Sequence, residues 1–92
     1  MREIVYTGQY KRDLKRARKR RMPEEDLNEV IRLLAEDKPL PPDKCDHVLK
    51  GAFAGLRECH IHPDWLLVYS KEDEFSSELG TEIKELHILN LI

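Results

Sequence analysis

The 92 residues carry a formal net charge of -2, with 37% charged and 40% hydrophobic side chains. That is one domain's worth of chain, residues 1–92, able to bury a single core and too apolar for a disordered tail. No apolar run approaches the roughly 18 residues of a membrane span and no secretory signal is visible, so no membrane partner and a cytoplasmic location are expected.

Residues 2–6, "REIVY", are β-branched and aromatic enough to predict a short first strand. From Gln9 to about Met22 the pattern is helical, with Tyr10, Leu14 and Ala17 on one side and Lys11, Arg12, Lys15, Arg16, Arg18 and Lys19 over the rest. Residues 1–22 hold nine Lys/Arg against two acids, and the remaining seventy hold seven against sixteen. Such polarity suits contact with a polyanion or with an acidic protein; a solvated helix face would look the same.

Pro23 suits the first turn of a second helix, whose Glu24, Glu25 and Asp26 complement the positive end of its dipole. Leu27, Val30, Ile31 and Leu34 supply the stripe that packs on a core. "DKPLPPDKCD", 37–46, has three prolines and predicts an ordered loop. A strand follows at about 56–61, and "WLLVYS" at 65–70 is a second.

Between those strands, His62-Pro63-Asp64 is a turn. Proline cannot take the positive φ of a type I′ loop, so a type I turn in a slightly longer loop is expected. Leu56, Glu58 and His60 share one face of the first strand, and Arg57, Cys59 and Ile61 the other. "SKEDEFSSELGTEIKE" is polar and predicts no element, whereas "ELHILNLI" at 85–92 predicts a terminal strand. The order predicts an α+β fold: an N-terminal strand and a helical hairpin packed on a small, mostly antiparallel sheet.

"ECHIHPDW", residues 58–65, admits three readings. His60 and His62 lie at i and i+2, and with His47 or a carboxylate they would make a tetrahedral metal set, though Pro63 interrupts the strand. Acid/base cleavage of RNA is the second: a base takes the 2′-hydroxyl proton, an acid serves the leaving 5′-oxygen, and cations stabilise the phosphorane. His47, His60 and Asp64 supply those groups, with Lys50 or Arg57 nearby and Trp65 to stack a base. An ordinary polar turn is the third. Cys45 and Cys59 sit in no activating motif and are expected as free thiols.

"CDHVLKGAFAGLRECHIHPDWLLVY" resembles the central signature of the YafQ-like branch of the RelE/ParE toxin superfamily. The likeness spans about residues 4–70. It implies a bacterial type II toxin that acts as a ribosome-dependent endoribonuclease, an mRNA interferase cutting mRNA in the A site, held inactive by a cognate antitoxin. It further implies catalytic roles for His47, His60 and Asp64, and contacts from the basic helices, including Lys11, Lys15, Arg16 and Lys19, to ribosomal RNA. No metal or other cofactor is implied. Family members usually finish with R-x-G-[ST]-H-x-x-L-F after their last strand. Here "SSELGTEIKELHILNLI" shows no such motif: either "ELHILNLI" replaces that strand after an inserted "FSSELGTE", or this end is altered. A toxin-fold binding module that engages an antitoxin or the ribosome without cutting is therefore the alternative.

Overall fold

The computed structural model describes residues 1–51 and 55–92, so the Ala52-Phe53-Ala54 part of the signature lies outside the described residues. The order is β1 (Glu3–Tyr6), α1 (Gly8–Lys19), α2 (Glu24–Ala35), a 3-10 turn (Pro42–Lys44), β2 (His47–Val48), β3 (Arg57–His62), β4 (Trp65–Ser76) and β5 (Thr81–Leu91). The strands form one sheet in the order β1-β5-β4-β3-β2. Among the described residues only β1 and β5 run parallel, so the expected mostly antiparallel α+β architecture is the one observed.

Thr7 starts α1 by accepting a hydrogen bond from the Tyr10 amide at 3.0 Å while donating its hydroxyl to the Leu89 carbonyl at 2.6 Å. One side chain thus satisfies an orphan amide and docks the helix on β5. The basic helix ends at Lys19, three residues short of the expected boundary, because Arg21 adopts φ 54°, a left-handed conformation that no helix continues through. On α2 the stripe Leu27, Val30, Ile31 and Leu34 is buried, with Ala35 beside it. It meets Cys59, Ile61, Trp65, Leu67, Tyr69, Leu86, Ile88 and Leu91 of the sheet.

Segment 71–84 departs from expectation. It forms the outer halves of β4 and β5, paired from Lys71↔Leu86 to Ser76↔Thr81. Its side chains are mostly polar, with Phe75, Leu79 and Ile83 exposed among them, because this ribbon reaches beyond the helices and both faces meet water, leaving no alternation to read. The backbone ladder alone signals the strands, and Gly80, at φ 63°, closes the turn.

Two buried charges tie the layers. Arg2, 8% exposed, donates to Asp37 at 2.7 Å after α2 and to Asp73 at 2.8 Å on β4. Asp13 on α1 accepts from the Leu91 amide at 3.0 Å, from Gln9 at 2.7 Å and from Arg16. Burial pushes the Asp13 carboxyl up, but these donors outweigh it and its pKa lies below the ordinary value.

Leu27 is fully buried, so Leu27→Ala should lower the unfolding free energy by about 2–5 kcal/mol, seen as a lower denaturant midpoint at unchanged slope. Hydrogen bonds from Arg2 and then Lys71 hold Asp37 down to about 2. Its folded pKa lies below its unfolded one. The resulting stability is present above the unfolded carboxylate value near ~4 and is lost as pH falls through about 2. The carboxylate is 42% exposed, so solvent screening keeps this below about 1 kcal/mol. Asp37→Asn should thus be slightly less stable than the native chain at pH ~6 and indistinguishable near pH ~2; a gap undiminished in acid would contradict the pairing.

Candidate active site on the open face of the sheet

Helices cover the face bearing Cys59, Ile61, Leu67 and Tyr69, so the alternate residues Glu58, His60, Leu66 and Val68 look the other way. His47 pairs directly across from Glu58, and Glu58 across from Val68. The His47 and His60 rings stand side by side on this face, centroids 6.4 Å apart and tilted by 38°. A hollow of about 350 Å³ is walled by Leu49, Leu56, Val68 and Ile92, with Asn90 and Glu58 as its polar members; Glu58, opposite His47, is the residue it shares with the histidine pair.

Both imidazoles are oriented through Nδ1. His47 Nδ1 lies 2.7 Å from the Cys45 carbonyl and His60 Nδ1 3.3 Å from the Pro63 carbonyl. A carbonyl can only accept, so in each ring the Nδ1–H donates and Nε2 is left for other work. His47 Nε2 lies 3.5 Å from Glu58 Oε1. Two imidazoles held through Nδ1 on one face, one of them with its Nε2 beside a carboxylate, can move protons to and from one substrate.

The turn that carries Asp64 is shorter than expected: Pro63 and Asp64 alone connect the strands, and His62 pairs with Trp65. Neither has positive φ, which excludes a type I′ loop as Pro63 requires. The mismatch is absorbed as a bulge between His60 and His62. It has a chemical consequence. His60 stays beside His47, whereas His62 stacks on Trp65 and its Nε2 meets Asp26 of α2 at 2.8 Å. The two histidines of the tempting metal pair therefore point apart, and among the described residues no group of three or more metal-ligating side chains converges. Asp64 is exposed beside the carbonyl that holds His60.

Two residues expected to meet RNA have partners within the fold. Trp65 is only 3% exposed, inserted between sheet and helices, so its ring offers no face to a base. Arg57 is engaged by Asp46 at 3.2 Å and by the Tyr69 hydroxyl at 3.2 Å through Nη2 and Nε, so part of its guanidinium is held within the fold. Lys11, Lys15, Arg16, Lys19 and Lys50 are all exposed; Lys15, Arg16 and Lys19 share one side of α1, with Arg16 also paired to Asp13. Glu58 is the member sequence reasoning passed over. Its signal was present in the face shared with His60, but its place opposite His47 needed the register. Burial pushes the Cys59 thiol up to about 12, which keeps it protonated and unreactive. His87 also faces away from the helices, opposite Ser70 on β5, two strands from His60.

A family model described as the bacterial toxin of type II toxin-antitoxin system, YafQ, matches residues 2–89. The mRNA interferase toxin YafQ of Escherichia coli K12 is 40% identical over 74 residues, covering 79% of this chain and 80% of that protein. The crystal structure of the E. coli DinJ-YafQ toxin-antitoxin complex matches with a TM-score of 0.80 at 34% identity, over 98% of this chain and 89% of that one. A copper-bound mutant toxin from Helicobacter pylori matches with a TM-score of 0.85 at 34% identity, over 99% and 92% of the two chains.

Because Trp65 is core, Trp65→Ala should destabilise the fold by about 3–5 kcal/mol. Thermal unfolding checks this; an unchanged midpoint would return Trp65 to the surface.

Proposed function

The chain belongs to the YafQ family of toxins of bacterial type II toxin-antitoxin systems, and from that premise we propose that it is an mRNA interferase that cuts message in the ribosomal A site. The supporting observation is the His47 and His60 pair on the open face, each held through Nδ1, with His47 Nε2 beside the Glu58 carboxylate at 3.5 Å. In this reading one Nε2 takes the ribose 2′-hydroxyl proton as the oxygen attacks the adjacent phosphorus. The other, protonated, delivers its proton to the departing 5′-oxygen. Bond making to the 2′-oxygen and bond breaking to the 5′-oxygen leave a 2′,3′-cyclic phosphate. Asp64 orients His60 or the substrate from the turn, and Glu58 takes up a proton passed through His47.

The ribosome supplies the substrate's alignment, and the exposed lysines and arginine of α1, with Lys50, engage RNA phosphates. Affinity for the ribosome should accordingly fall as salt rises. A cognate antitoxin is the second partner, by analogy with DinJ bound to YafQ in E. coli.

Translating ribosomes on a defined message test the proposal. The native chain should cut within the A-site codon, while His47→Ala and His60→Ala should each lose about 10²-fold or more in rate and still bind the antitoxin. No cleavage by the native chain, with ribosome or antitoxin binding intact, would instead establish a binding module.

A further inference from the structure

β2 consists of His47 and Val48, both exposed, paired with β3 at only two positions. One more backbone bond, Leu49 N–H to the Leu56 carbonyl at 2.9 Å, extends it. A two-residue edge strand that buries no side chain has little of its own to hold an imidazole still.

The chain is anchored one residue earlier. Asp46 Oδ1 accepts from the Tyr69 hydroxyl at 2.5 Å and from Arg57 Nε at 3.3 Å, and Asp46 Oδ2 lies 3.2 Å from Arg57 Nη2. Arg57 Nε also reaches the Tyr69 oxygen at 3.2 Å, closing a triangle. Tyr69 is fully buried in the middle of β4, so the triangle is bolted to the core. Burial, then the bond to Asp46, raises the Tyr69 phenol far above its ordinary value, which keeps the donated proton in place.

We propose that Tyr69, Arg57 and Asp46 form a clamp that positions His47, the three acting as positioning residues; its consequence for catalysis rests on the nuclease reading above, its geometry does not. Asp46 and His47 are consecutive and reach opposite faces of the sheet, Asp46 to Tyr69 and His47 to Glu58 and His60. Fixing the Asp46 carboxylate therefore fixes the peptide that carries His47. It also fixes Cys45, whose left-handed φ of 49° turns its carbonyl onto His47 Nδ1 at 2.7 Å. That bond selects the tautomer with the proton on Nδ1 and aims Nε2 at the open face. Arg57 acts here through charge and geometry on Asp46.

Tyr69→Phe keeps the ring in the core and removes only the hydroxyl. Asp46→Asn changes a partly exposed side chain and should fold whatever Tyr69→Phe does. Nitrogen-resolved imidazole NMR, with His47 assigned by His47→Gln, reads the tautomer at a pH where the ring is neutral. The native chain should show the Nδ1–H form of His47, and both variants a mixture of tautomers with His60 unaltered. Arg57→Lys should retain more of the native signal than Arg57→Ala. On ribosomes the variants should lose about 10- to 100-fold in kcat with little change in KM. Unaltered His47 signals in either folded variant overturn the inference. A native chain that cuts no RNA but shows these tautomer shifts retires the nuclease reading and leaves the clamp standing.

Discussion

Alternate residues of β3, β4 and β5 send Cys59, Ile61, Leu67, Tyr69, Leu86 and Ile88 beneath the two helices, where water is excluded and the apolar stripe of α2 completes the core. Strand geometry then obliges the intervening residues to face outward. Glu58 and His60 reach the open surface because Cys59 and Ile61 are needed underneath. Core and site are two faces of the same period-two pattern. A one-residue slip of β3 would bury His60 and expose Ile61 together.

Buried charge is used in this protein to join layers. Arg2 joins β1, the end of α2 and β4, and Asp13 joins α1 to the end of β5. Each is surrounded by partners, which offsets the desolvation that an isolated buried charge would suffer. Asp46 follows the same logic in a half-exposed setting. Its two donors stand on neighbouring strands, Arg57 opposite Tyr69, so the carboxylate reports the sheet's register to the loop before β2.

The two candidate histidines arrive by different routes. His60 is held by strand geometry and by a carbonyl of the turn that Pro63 shapes. His47 sits on an edge with almost no packing of its own. The Pro63-Asp64 turn also separates His60 from His62, because this two-residue connection with negative φ, whose twist fits the strands poorly, is accompanied by a bulge. One histidine is thereby kept with His47 and the other is given to Asp26 and Trp65.

Much of this was legible in the residues. The stripe Leu27, Val30, Ile31 and Leu34, the run "WLLVYS" and the face shared by Glu58 and His60 follow from helical and strand periods, and Pro63 already excluded a type I′ turn. Those are local consequences of sterics and of burying apolar surface, so the sequence determined them by itself. Tertiary structure alone decided the rest. The polar ribbon at 71–84 carries no periodic signal because neither face is buried. Trp65 and Arg57 have side chains that suit RNA, yet the core claims one and the Asp46-Tyr69 pair the other. Glu58 comes opposite His47 only through the β2–β3 register. Which partners a side chain finds across strands depends on register and on which face the helices cover, and neither is set within the few residues around it.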